Sequence, residues 1–159
     1  MIILGIDPGL TCCGYAIVTK QKDFPVLLDS GFIKTNPRKS ISDRCYTLYS
    51  TFAYDLIPKY NPTIISLEDQ YIGNNPQTVS KLISAKTACL IAAAHHNILV
   101  KQYMPNVIKK SILRGNASKE AIRTKLQRVL GCKIQGSLDV SDAVAIAFTA
   151  FKLTRAKIL

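Results

Sequence analysis

The sequence predicts an α/β domain built on a mixed sheet, with an antiparallel meander in the first 35 residues and parallel strands after it. Three observations predict this. Short apolar, β-rich runs follow one another with brief polar connections up to residue 35, the apolar period then changes to that of a helix, and helical and extended segments alternate from there on. At 159 residues, a single domain spanning 1–159 is the simplest division, and it is long enough to bury a core without staples. No repeat, linker or low-complexity segment interrupts it.

The opening run, Met1-Ile2-Ile3-Leu4-Gly5-Ile6-Asp7 before Pro8-Gly9, reads as a buried strand that ends in a turn, with Asp7 where the strand surfaces. Residues 14–18 and 26–35 supply the second and third strands. Pro37-Arg38-Lys39-Ser40 breaks the pattern. From Ser42 a helix is predicted, capped by Ser42 or Ser40, with Cys45, Leu48, Phe52, Leu56 and Ile57 on one face and Pro58 and Asn61-Pro62 closing it. Residues 63–67 form a fourth strand that delivers Glu68 at its end, followed by a polar loop at 71–76. A second helix, 77–96, has Val79, Leu82, Ile83, Ala88, Leu90 and Ile91 as candidate buried positions and stops at Asn97. A fifth strand at 99–104 precedes a short basic helix that starts at Pro105, carries Lys109, Lys110 and Arg114, and ends at Gly115-Asn116. Ser118 opens an amphipathic helix that Gly131 ends, and the last helix covers about 140–153, before a basic tail expected to fray.

Charge narrows the partners. With 21 Lys+Arg against 10 Asp+Glu, the formal net charge is +11, which attracts a polyanion, nucleic acid before an anionic membrane surface. No apolar run approaches the roughly 20 residues of a membrane span, and the start lacks a basic, cleavable leader pattern. A cytoplasmic, DNA-associated location without a membrane partner is expected. The five cysteines, Cys12, Cys13, Cys45, Cys89 and Cys132, form no CxxC pair and read as reduced core or near-core thiols, with Cys12-Cys13 placing thiol sensitivity near Asp7.

Two strands distant in sequence each finish in an acid, Asp7 and Glu68. Strand alternation favours Glu68 over the adjacent Asp69 as the inward one. Asp139 and Asp142, three apart, share one face of a first helical turn. Taken singly, Asp7 also suits a backbone-bonding turn residue and Asp139 a helix cap. Taken together, the four suggest carboxylates converging on one point, where mutual repulsion requires cations. An all-oxygen set selects Mg²⁺ or Mn²⁺ over zinc, and two such ions suit phosphodiester hydrolysis.

Gly5-Ile6-Asp7-Pro8-Gly9 with Gly14-Tyr15-Ala16, Leu67-Glu68 with Tyr71, and Asp139-x-x-Asp142-Ala143-x-Ala145-Ile146-Ala147 resemble the RuvC-type Holliday-junction resolvases over nearly the whole chain. The resemblance implies an RNase H-like fold: a homodimer that hydrolyses two opposing strands of a four-way DNA junction with Mg²⁺, leaving paired symmetric nicks. It also implies that Asp7, Glu68, Asp139 and Asp142 hold the metal, that Lys109 and Lys119 stand near the scissile phosphate, with Lys110 competing for the first role, and that Tyr71 stacks on an unpaired base. Asn74, Lys81, Lys86, Lys110, Arg114 and Arg123 are further candidates for DNA contact. Cellular members of the family work with a branch-migration motor. Competing readings are an RNase H-like nuclease for structured or precursor RNA, a non-catalytic junction-binding module, and one lobe of an actin-like ATPase. The four acids disfavour the binder, which gains nothing from negative charge facing phosphates, and an ATPase needs a second lobe.

Overall fold

The computed structural model describes residues 1–69, 75–113 and 117–155, without the Arg155 side chain. Tyr71, Asn74 and Arg114 lie outside these residues. Strands β1 (Ile2–Asp7), β2 (Cys12–Gln21), β3 (Phe24–Lys34), β4 (Ile64–Glu68) and β5 (Leu99–Tyr103) form one sheet in the order β3-β2-β1-β4-β5. β1 pairs antiparallel with β2, and β2 with β3, whereas β1 pairs parallel with β4, and β4 with β5. The predicted meander and parallel half are both present, and β1 is the strand where the direction changes.

Helices cover both faces. On one, α4 (Pro105–Ile112), α5 (Lys119–Leu130) and α6 (Leu138–Arg155) pack on Ile3, Ala16, Val18 and Ile64. On the other, α1 (Ile41–Ser50), a π-helical segment (Thr51–Leu56), α2 (Ile57–Tyr60) and α3 (Pro76–His95) enclose Leu4, Ile6, Ile17, Ile65 and Leu67. The alternation of residues 3 and 4, or 64 and 65, between the two clusters is the pleat of the sheet written in sequence.

α6 is nearly all buried because it lies very close to the sheet. A Cβ on Gly5 would come within 2.5 Å of the Ala143 carbonyl oxygen and 2.6 Å of the Ala147 Cβ, and one on Gly14 would run into the Asp139 carbonyl oxygen. Glycine at these points lets a helix of small residues approach the backbone of β1 and β2. Gly5→Ala should therefore force the layers apart, cost about 1–3 kcal/mol and lower the melting temperature by roughly 5 °C. An unchanged calorimetric midpoint would refute the tight contact.

Two details depart from the sequence expectation. Pro58 does not close the first helical stretch, which runs on to Asn61, where a left-handed residue (φ 47°) ends it. The π-helical segment explains how: the Ile57 N–H reaches back five residues to the Phe52 carbonyl, so the donor missing at Pro58 would have served Ala53. His96 Nε2 donates to that carbonyl oxygen instead, at 2.7 Å. Second, Ile83 and Ile91 are not buried but 52% and 54% exposed. The buried face of α3 is Ala85, Ala88, Cys89, Ala92 and Ala93, with Val79, Leu82 and Leu90 half-buried. Small side chains there bring α3 close to α1 and the sheet, and the larger ones turn outward.

α1 is capped by Ser40, whose Oγ accepts from the Asp43 N–H at 3.1 Å. Its buried face includes Arg44, a residue the apolar periodicity passed over. All five cysteines are free. Among the described residues no helix is long and apolar enough to cross a membrane.

Candidate active site

The placement of the four acids follows from strand parity. Ile3 and Gly5 face α6, so Asp7, at the same parity, leaves the sheet on that side. In β4 the inward series is Ile64 and Ser66, whose Oγ donates to the Ile146 carbonyl at 3.4 Å, and the next member is Glu68. Ile6 pairs with Leu67, so Asp7 and Glu68 stand one step further on neighbouring strands, about 4.8 Å apart in the pairing direction. α6 begins at Leu138 and brings half-buried Asp139 and Asp142 to the same end.

The electrostatics register this convergence. Burial is the largest cause that pushes Asp7 up from 3.8 to about 7; the carboxylates of Asp142, Glu68 and Asp139 push further, and the Lys119 ammonium opposes them. Lys119 opens α5 after its cap, Ser118, whose Oγ accepts from the Ala121 N–H. Its Nζ donates to Asp142 Oδ2 at 2.5 Å, and this bond is the main reason its own pKa rises. Ser137 Oγ donates to Asp139 Oδ2 at 3.3 Å. Asp69 turns away and pairs with Lys86 at 3.1 Å, in keeping with Glu68 as the inward acid. Among the described residues no three His, Cys, Asp or Glu side chains are close enough as placed to hold a metal ion. The donor set nonetheless fits a hard divalent cation, since every donor is an oxygen and each acid raises the cost of ionising Asp7.

The remaining sequence candidates divide. Lys81, Lys109 and Lys110 are exposed. Arg123 is engaged in structure: its guanidinium donates to the Ile134 carbonyl at 2.5 Å and the Gly136 carbonyl at 3.2 Å, bracing the loop that leads into α6. Cys12 is half-buried, and burial, with a hydrogen bond to Asp139, pushes its thiol up to about 11. A thiol pKa raised in this way disfavours the thiolate. Sequence reading missed Arg44, whose Nε donates to Thr35 Oγ1 at 2.8 Å and whose Nη2 donates to Thr11 Oγ1 at 2.9 Å, tying α1 to the loop that follows Asp7. The signal was its place four residues before Leu48, on the buried face of α1.

A mixed sheet whose first strand ends in an acid, crossed by a C-terminal helix that carries two more, is the RNase H-like arrangement, and its class is that of nucleic-acid hydrolases. The model of the family described as crossover junction endodeoxyribonuclease RuvC matches residues 3–150. The crossover junction endodeoxyribonuclease RuvC of Ehrlichia chaffeensis is 33% identical over 148 residues, covering 92% of this chain and 94% of that protein. The Thermus thermophilus RuvC structure superposes with a TM-score of 0.88 at 26% identity, covering 99% of this chain and 97% of that one. T. thermophilus RuvC in complex with Holliday junction substrate gives 0.89 at 24%, covering 98% and 96%. The chain belongs to the RuvC family of crossover junction endodeoxyribonucleases, metal-dependent nucleases that resolve Holliday junctions.

Proposed function

We propose that this chain resolves four-way DNA junctions as a homodimer, with Asp7, Glu68, Asp139 and Asp142 holding divalent cations, Mg²⁺ by preference with Mn²⁺ able to substitute, two to a site. The observation that carries the reading is Asp7, whose pKa of about 7 reflects burial and three further carboxylates drawn from β4 and α6. When bound, the cations supply an activated water and neutralise charge at the leaving oxygen. The chain's own part is to fix the acids by strand parity and to present the Lys119 ammonium at the same point for the scissile phosphate. Lys109, Tyr71 and the exposed basic residues would hold the strands, consistent with the net charge of +11. The junction as substrate is supported by the T. thermophilus RuvC complex with Holliday junction substrate.

Two coordinated nicks require two sites, and one face suits self-association. Tyr46, Ile83 and Ile91, each more than half exposed, border a groove of about 490 Å³ between α1 and α3. Apolar side chains grouped in this way mark an interaction surface, and a two-fold contact would use the same patch twice. Ile83→Asp should shift sedimentation toward the monomer and reduce paired nicking; a dimer of unchanged stability would rule the face out.

The test of function is incubation of the purified protein with a synthetic four-way junction and Mg²⁺, with linear duplex and a structured RNA in parallel. Paired symmetric nicks in the junction alone are expected. Preferential cleavage of the RNA would overturn the assignment.

A further inference from the structure

Arg44 is 6% exposed, yet no carboxylate among the described residues lies within ion-pair distance of it. Its bonded neighbours are hydroxyls, Thr35 and Thr11, and Thr35 Oγ1 in turn donates to the Leu10 carbonyl at 2.5 Å. Hydroxyls orient a guanidinium but leave its positive charge uncompensated, and a buried charge without a counter-charge is costly. Arg44 lines a recess of about 380 Å³, open to solvent, whose walls also include Lys39, Asn36 and Thr47. Asp43 lies on the same wall but is exposed, and its carboxylate makes no ion pair with Arg44. Two cations and the Asn36 amide nitrogen are the donors around this space, which Asp43, Tyr46 and Thr47 also line, the Thr47 hydroxyl donating to the Asp43 carbonyl at 2.9 Å; it is large enough for a phosphate group.

The recess stands at the catalytic end of the sheet. Arg44 bonds Thr11, four residues beyond Asp7, which is at most about 14 Å of extended chain. Tyr46 lines the recess and also borders the apolar groove. A strand held at the four acids and continuing along this rim would carry its backbone past the recess.

We propose that the recess formed by Arg44, Lys39, Asn36 and Thr47 is a phosphate subsite that grips the DNA backbone a short distance from the scissile bond. The proposal rests on the junction-cutting reading above and adds a backbone contact to it. Arg44 supplies the fixed, oriented charge and Lys39 the mobile one; neither reads sequence, so the contact sets the register of the strand.

The experiment measures junction affinity, in EDTA, against salt concentration for the full chain and three variants. Lys39→Gln, at an exposed position, should make the slope of log affinity against log salt shallower by about 0.9. The affinity lost between about 50 and about 200 mM salt would then shrink roughly 3.5-fold. Asp43→Asn should act in the opposite direction and tighten binding, since it removes an acid from the wall. Lys59→Gln, a control at the other end of the sheet where Lys59 lies over the Tyr60 ring at 4.8 Å, should change neither. Opposite effects of Lys39→Gln and Asp43→Asn cannot come from a loss of fold. If the wild type binds and cuts junctions while Lys39→Gln keeps the full salt slope or Asp43→Asn fails to tighten binding, the subsite is overturned and the functional reading stands. If the wild type does not bind junctions, both fall.

Discussion

Asp7→Asn abolishes metal-dependent cutting of a four-way junction, by about a thousandfold or more, and leaves junction binding within a few-fold of wild type. A metal's stabilisation of transition-state charge is worth several kcal/mol, and each 1.36 kcal/mol is tenfold in rate. Asp7 is the acid whose pKa the other three raise, so if these acids hold the cation as proposed, its loss weakens that site at its centre. Binding is spared because the affinity of a basic protein for DNA comes from phosphate neutralisation, to which a carboxylate contributes nothing favourable. The measurement is single-turnover cleavage at saturating Mg²⁺ alongside a binding titration in EDTA. Cleavage within tenfold of wild type would remove Asp7 from the catalytic set.

The same substitution reverses sign when stability is read in place of rate. Asp7 is held at about 7 in the folded protein, against 3.8 ordinarily, by burial first and by its acidic neighbours second. Below about pH 4 the carboxyl is protonated in both folded and unfolded chains and contributes no penalty. As pH rises toward 7 the unfolded chain ionises freely while the folded one resists, so stability falls, and above 7 the loss is complete. At 1.36 kcal/mol per pKa unit the full loss is about 4 kcal/mol. In EDTA, Asp7→Asn should therefore match wild type near pH 4 and be the more stable protein at pH 8, by up to about 4 kcal/mol in urea denaturation. Adding a divalent cation at pH 8 should stabilise wild type more than the variant. A difference between the two proteins that does not change with pH would contradict the raised pKa.

The sheet was legible because its information is local. Continuous apolar runs and their polar breaks marked all five strands, and the parity of residues 3, 5 and 7 fixes the side on which Asp7 emerges. The convergence of Glu68, Asp139 and Asp142 on Asp7 was legible from their positions at element ends. What stayed hidden depends on partners far away in sequence. Periodicity assigned Ile83 and Ile91 to the core, because it cannot tell that a stripe of alanines and a cysteine is the face another helix approaches closely. Pro58 read as a stop, because the carbonyl it orphans is satisfied by His96, 38 residues later. Arg44 went unremarked because a search for apolar periodicity passes over a charged residue even at helical spacing from Leu48, and its threonine partners lie on other elements.

The close seat of α6 on Gly5 and Gly14 limits how the family can vary here. Insertions between elements leave the pleat untouched and are absorbed at the surface. Losing one residue inside β1 or β4 would instead turn Asp7 or Glu68 to the face occupied by Leu4, Ile6, Ile65 and Leu67, and in β1 it would also set a branched side chain where only hydrogen fits beneath Ala143 and Ala147. Length is therefore expected to drift in the connections and stay fixed in these two strands, whatever happens to the identity of their apolar residues.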